Sequence, residues 1–239
     1  MYLFRKVNKK LLLVLAVISA IAILIEGIDS FVNKEGIFSE QTQYTSYPEY
    51  NGKAYSVINN NIPYFTDDEK SCKTSYEFYG ELDSLGRCSF AIACIGEDLM
   101  PVEERGSIGS VKPSGWQISK YDFINGKYLY NRCHLIGYQL SGENANNRNL
   151  ITGTRYMNIE GMLPFENMVA DYVKETGNHV IYRVTPYFYR DELIARGVYM
   201  EAYSVEDYGE GICYCVFVHN VQPKVKINYN DGTNIEIDG

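Results

Sequence analysis

His134 is one of three histidines in the chain, and it is the one whose surroundings suit proton transfer near neutral pH. It follows Arg132 by two residues in a strand-like segment, so both side chains should lie on one face. A neutral imidazole can take a proton from water, and a guanidinium beside it can bind a phosphate with two hydrogen bonds. From this spacing alone, a surface arginine beside a core histidine is an equally good interpretation.

The other two histidines have simpler explanations. Cys213, Cys215 and His219 alternate along a predicted strand, which differs from the paired cysteine spacing of zinc sites. His179 follows Gly177 and Asn178 at the start of another predicted strand, as turn or surface histidines do.

An asparagine and a glutamate downstream of His134 have the chemistry of ligands for a hard metal ion. The amide oxygen of Asn158 could bind Mg²⁺, which keeps most of its waters and needs few protein ligands. Glu166 lies in the first turn of a predicted helix, where it could simply complement the helix dipole. Its helical neighbours are apolar, however, and an unpaired buried carboxylate is costly, so a hydrated metal is the favoured partner.

These segments together resemble the DNA/RNA non-specific endonucleases with a ββα-metal site. The resemblance covers about residues 51–239 and points to the secreted Gram-positive branch that includes the streptococcal DNA-entry nuclease. It is carried by residues 131–137 (NRCHLIG), the Asn-rich loop 141–148, residues 149–158, Phe165-Glu166, and the segments 182–186, 200–202 and 218–223.

The resemblance implies a role for each matching residue. It makes His134 the general base and Arg132 a contact to phosphate, with Asn149 as a supporting member of the catalytic group. Asn158 would bind Mg²⁺, or Mn²⁺ in its place, and Glu166 would orient metal-bound waters as both a catalytic and a metal-site residue.

The same resemblance makes Arg155 a second substrate-binding residue, and it also exposes two departures from the family pattern. Asn131 stands where the family has Asp, which removes a charge near the site. Cys133 stands where the family has Gly.

The N-terminus has the pattern of an export signal. Four basic residues precede an uncharged apolar run at 11–25, so residues 1–28 are predicted to be a signal peptide or a signal anchor. The chain after the run would then lie outside the cytoplasmic membrane. Residues 29–50 are polar and are predicted to be a linker, and residues 51–239 are the predicted endonuclease domain.

The remaining pattern predicts an α+β fold with a central antiparallel sheet and few helices. Strands Tyr128–Ile136 and Asn149–Thr154 flank the Asn-rich loop, and a helix over Pro164–Thr176 begins with proline and ends at Gly177. Further strands are predicted at 54–58, 88–95, 179–189, 193–204 and 211–221, with Pro186 at a bulge or edge.

Charge and cysteine content restrict the class of protein. A net charge of −8 argues against a passive nucleic-acid binder, which would carry a basic face, but less against an enzyme that holds phosphate transiently. The six cysteines permit disulfides in an exported chain, and Cys72 with Cys88 is the first candidate pair from sequence proximity.

The sequence therefore predicts a secreted or membrane-anchored, sequence-nonspecific endonuclease that uses Mg²⁺ and needs no organic cofactor. Its substrate is DNA, and the sequence leaves open whether RNA is cut as well. The alternatives are a membrane-anchored protein that binds extracellular nucleic acid without cutting it, and an exported structural or adhesion module. A nuclease toxin with an inhibitor protein would share the same chemistry.

Overall fold

The computed structural model describes residues 44–237, and the predicted signal or anchor segment lies outside the described residues. Within this range the fold is α+β, as predicted, and no helix is long and apolar enough to cross a membrane. The strands are β1 Tyr55–Val57, β2 Tyr76–Tyr79, β3 Ala91–Ile95, β4 Tyr130–His134, β5 Leu150–Thr154, β6 Val180–Tyr187, β7 Gly197–Ser204, β8 Cys213–His219, β9 Val225–Ile227 and β10 Asn234–Glu236.

Six of these strands form one antiparallel sheet in the order β1-β8-β7-β6-β3-β2. The last two long strands, β7 and β8, pair antiparallel within it. Pro186 lies beyond Val184, where the pairing of β6 with β3 ends, so the proline occupies a locally free edge of β6 and costs no ladder hydrogen bond there.

One face of this sheet packs against a ββα unit and encloses the main core. The unit consists of the two-stranded β4–β5 hairpin and a long helix, which has a π-helical segment at Met157–Met162 and continues as α2, Leu163–Thr176. A short helix, α1, at Tyr138–Ser141 follows β4. Apolar side chains from α2, such as Val169 and Val173, are buried in the same cluster as inward-facing residues of the sheet.

The helical region begins earlier than the sequence pattern predicts, at residue 155 rather than 164. Thr154 explains the earlier start, because its side-chain oxygen accepts a hydrogen bond from the backbone N–H of Met157 and so caps the first turn. Gln222 adds a second cap by accepting from the N–H of Tyr156 at 3.1 Å. Both caps depend on side-chain contacts that local periodicity does not reveal.

The opposite face of the sheet is covered by the chain that leads into it. Residues 44–50, predicted to end a linker, pack here, with Tyr44 stacked on Tyr199 at a ring separation of 3.4 Å. Arg183 is buried on this face between the carboxylates of Glu69 and Glu201, at 3.1 and 2.9 Å. The ion pairs fix the segment before β2 against β6 and β7.

The predicted cysteine pair is wrong, since the disulfide joins Cys72 to Cys94. Cys94 pairs with Tyr76 across β3 and β2, and Cys72 lies just before β2. Cys88 belongs to the core on the other face, where its thiol contacts the carbonyl of Leu150 at 3.3 Å. Proximity along the chain therefore predicted the wrong pair, because Cys72 and Cys88 lie on opposite sides of the sheet.

Candidate active site

His134 ends strand β4 and is almost fully buried. Its Nε2 lies 2.8 Å from the carbonyl oxygen of Asn144, which can only accept, so Nε2 carries the proton. Its Nδ1 lies 3.3 Å from Nη2 of Arg105, which can only donate, so Nδ1 presents a lone pair. The imidazole is therefore held in the neutral tautomer that a general base requires.

The pKa of His134 is lowered to about 4, chiefly because burial disfavours the charged imidazolium. The hydrogen bond to Asn144 opposes this effect, while the positive charge of Arg105 adds to it. The ring is consequently neutral at physiological pH, and its Nδ1 lone pair accepts from Arg105 in the substrate-free protein.

Glu166 lies in the first turn of α2 and is also buried. A Cβ atom at Gly137 would lie 2.7 Å from a Glu166 carboxylate oxygen, so any other residue at this position would displace the carboxylate. Burial raises the pKa of Glu166 to about 7, and the charge of Arg105 opposes that rise. Arg105 thus acts electrostatically on both the imidazole and the carboxylate.

Asn158 lies in the π-helical segment, eight residues before Glu166. Eight steps of a regular α-helix would turn these two side chains about 80° apart. The wider π turn accommodates one additional residue, so the spacing equals seven α-helical steps, which end within about 20° of the same line. The π segment therefore brings Asn158 and Glu166 onto one side of the helix.

A cleft of about 470 Å³ opens beside Asn158, and Arg105 connects it to His134, while neither His134 nor Glu166 lines it directly. Asn158 lines it together with three arginines, Arg105, Arg132 and Arg155. In a chain of net charge −8, this concentration of positive charge is local. It suits an anionic substrate such as a phosphodiester.

Arg132 is fixed before any substrate arrives. Its guanidinium lies 4.0 Å from the ring centre of Trp116, and its Nη2 donates to the carbonyl of Gly109 at 2.9 Å, while Nε donates to Val111. Among the described residues Nη1 has no partner, so that nitrogen is free for phosphate. Strand alternation places Arg132 on the same side of β4 as His134, as predicted.

Asn149, expected to support the catalytic group, binds the chain that follows His134. It is fully buried, and its amide accepts from the N–H of Ile136 at 2.9 Å and donates to the carbonyl of Ile136 at 3.0 Å. It therefore does not face the cleft. These two bonds fix the chain that follows His134, which is compatible with the expected supporting role.

The donor set is consistent with a divalent metal ion. Glu166 is a buried carboxylate with no hydrogen bond or ion pair to any described residue, and the Asn158 amide likewise has none. Carboxylate and amide oxygens are the ligands of Mg²⁺, and an ion that keeps most of its waters needs no larger cluster. Within residues 44–237 no group of three or more His, Cys, Asp or Glu is placed to bind a metal, so a closed zinc-type centre is not formed there.

The sequence model of a family described as DNA/RNA non-specific endonuclease matches residues 67–206, more than half of the chain. The chain belongs to this family. This endonuclease matches none of the curated proteins. The family assignment confirms the predicted resemblance and the enzyme class.

Solved nucleases share the fold of this endonuclease. NucA from Streptococcus agalactiae with magnesium ion bound is 22% identical, with a TM-score of 0.69 over 79% of this chain and 89% of NucA. Sda1 nuclease with bound zinc ion is 24% identical, with a TM-score of 0.64 over 77% of this chain and 97% of Sda1. A protein described as an extracellular endonuclease is 20% identical, with a TM-score of 0.55 over 79% of this chain and all of that one.

Arg105 is the residue of this endonuclease's site that sequence patterns missed. It lies in a Gly- and Ser-rich loop, 29 residues before His134, and no periodic pattern links it to the histidine. Asn144 was missed as well, because it acts through its backbone carbonyl, which no side-chain motif can reveal.

Proposed function

We propose that this protein hydrolyses phosphodiester bonds of DNA and RNA without sequence preference, in a Mg²⁺-dependent reaction outside the cytoplasmic membrane. The observation that carries the proposal is the orientation of His134, whose Nδ1 lone pair is directed toward Arg105 at the edge of an arginine-lined cleft. A buried unpaired carboxylate, Glu166, lies near the same arginine.

In the proposed reaction Arg105 turns from Nδ1 of His134 to the phosphate in the cleft, which frees the Nδ1 lone pair. Nδ1 then takes a proton from the attacking water, and Nε2 keeps its bond to the Asn144 carbonyl throughout. The imidazolium that forms is transient, since burial and Arg105 both favour proton release. Arg132 and Arg155 hold the phosphate in the cleft, where their fixed charges oppose the negative charge that develops.

Asn158 and Glu166 would hold the metal ion, Asn158 directly and Glu166 through bound waters. When bound, Mg²⁺ would neutralise charge on the phosphate and stabilise the leaving oxygen. Mn²⁺ prefers the same oxygen ligands and is expected to replace it. The arginines recognise phosphate rather than base edges, so cleavage should be nearly independent of sequence.

Three features support a location outside the membrane. The basic and apolar N-terminal pattern is that of an export segment. The Cys72–Cys94 disulfide suits an oxidising compartment. Two of the nucleases with the same fold are described as extracellular.

The test is digestion of supercoiled plasmid and of RNA by the whole protein, with Mg²⁺ and with EDTA, beside His134→Ala. We expect cleavage only with metal, and a loss of about 10²–10⁴-fold in the variant at unchanged melting temperature. Near-normal nicking by a folded His134→Ala protein would exclude this base. Binding without nicking by the parent protein would favour the nucleic-acid-binding alternative.

A further inference from the structure

A hairpin at residues 119–129 borders the cleft and presents an exposed aromatic ring to it. Leu129 N–H bonds to the carbonyl of Ser119 at 3.0 Å, and Tyr121 N–H bonds to that of Lys127 at 2.8 Å. Inside the hairpin Ile124 and Leu129 are buried in a second core with residues of β9. The packing of Ile124 and Leu129 against β9 holds the hairpin in place and so fixes the position of the side chains on its exposed side.

Tyr128 is 48% exposed on this hairpin and lines the cleft beside Ile118, which is 74% exposed. Tyr128 and Ile118 together give the cleft an exposed apolar surface on the same wall system as its arginines. The ring has no aromatic partner among the described residues. Its neighbour in the cleft wall, Trp116, differs because it is already covered by the guanidinium of Arg132.

A cation accompanies the Tyr128 ring. Lys120 Nζ lies 4.6 Å from the ring centre, across the hairpin. Such a contact at an exposed site is weak, so the ammonium can move to a phosphate at little cost. An aromatic ring with an adjacent mobile cation is the combination that binds an unpaired nucleotide, with the base on the ring and the phosphate on the cation.

We propose that Tyr128 and Lys120 form a subsite for an unpaired nucleotide of the substrate strand, continuous with the arginine-lined cleft. The proposal rests on the proposed nuclease function, because it takes the strand in the cleft to be nucleic acid. A base inside a duplex is stacked on its neighbours and cannot cover the ring. The subsite therefore favours single-stranded DNA or RNA, or frayed ends, over intact duplex.

The test is binding of fluorescent oligo-dT and of a blunt-ended, GC-rich duplex to the His134→Ala protein, which removes cleavage from the measurement. Tyr128→Ala in this background should weaken oligo-dT binding about five- to hundredfold, while duplex affinity stays within about twofold. Tyr128→Phe should bind oligo-dT like the parent, because the ring is retained. The matched control is Tyr208→Ala, since Tyr208 is 84% exposed and lies on the β7–β8 turn.

Lys120→Gln supplies an independent measurement. It should reduce the slope of log affinity against log salt for oligo-dT by about 0.7, the value for one phosphate contact on a single strand. An unchanged slope would overturn the role of Lys120.

Three results would overturn the stacking role of Tyr128. They are an oligo-dT affinity within twofold of the parent in Tyr128→Ala, an equal loss in Tyr208→Ala, and an equal loss for duplex. These outcomes are separate from failure of the nuclease proposal. A parent protein that binds oligo-dT through Tyr128 but does not nick plasmid would leave the subsite standing and remove the catalysis.

Discussion

The carbonyl oxygen of Asn144 lies 2.8 Å from Nε2 of His134, and this contact decides which imidazole nitrogen can act as the base. Arg105 lies at the other nitrogen, 3.3 Å away. The loop carbonyl of Asn144 and the distant Arg105 together fix the tautomer of His134.

The first prediction concerns the protonation of His134 in the metal-free protein. Its pKa is lowered to about 4, so the ring should remain neutral and protonated at Nε2 from alkaline pH down to about pH 5, and gain a proton only in more acidic solution. Nitrogen-15 and proton NMR of the imidazole would follow this titration directly. A midpoint near the ordinary value of 6.5 would contradict it. His179, which is paired with Glu206 and does not line the cleft, gives a separate imidazole signal that must be assigned apart from that of His134.

The second prediction concerns Arg105. Its positive charge lowers the pKa of both His134 and Glu166, so Arg105→Ala should raise the pKa of the imidazole. The same NMR titration measures the shift, and Arg105→Lys, which keeps the charge, should leave the midpoint close to that of the parent. Plasmid cleavage should slow in Arg105→Ala, since a cation next to the base and the cleft is lost. An unmoved His134 midpoint in Arg105→Ala would show that the two side chains are apart in solution.

The third prediction tests Asn149 as a positioning residue. Asn149→Ala leaves the N–H and carbonyl of Ile136 buried without partners, and it should lower the free energy of unfolding by about 1–3 kcal/mol. Urea denaturation measures this loss. Asn167→Ala is the control, because Asn167 is exposed on α2 and should change stability by less than about 0.5 kcal/mol. A stable Asn149→Ala protein without activity would instead favour a direct catalytic role.

Much of the architecture could be predicted from local pattern. The buried positions of α2 recur at helical spacing, and Gly177 ends the helix in the left-handed conformation that favours glycine, with φ 69°. His134, Asn158 and Glu166 could be chosen because their chemistry is specific and their order matches a known family.

The rest depends on contacts between segments far apart in the chain. Arg105 reaches His134 from a loop without periodicity, and Gln222 caps the helix from the turn after β8. The Cys72–Cys94 bond follows from the pairing of β2 with β3 and from the face of the sheet, which spacing does not encode. Each of these three contacts depends on how distant segments pack together, which local sequence propensity does not encode.

The last prediction follows from the π-helical segment. Because the π turn makes eight residues equivalent to seven α-helical steps, deletion of the exposed Glu160 should convert the segment to regular helix and keep Asn158 aligned with Glu166. The deletion variant should then retain Mn²⁺ binding, measured by calorimetry, and should still nick plasmid. Inserting one alanine after Glu160 should instead rotate Asn158 away and reduce cleavage by about 100-fold or more, since small displacements at a reacting centre are costly.

Glu160→Ala, which keeps the length, is the control for loss of the side chain and should resemble the parent. Melting temperatures separate misfolding from misalignment in all three variants. A deletion variant that melts like the parent but neither binds Mn²⁺ nor nicks plasmid would show that the wide turn does more than set the phase of the helix. If the insertion variant binds Mn²⁺ and nicks plasmid like the parent, Asn158 need not lie on the same side of the helix as Glu166.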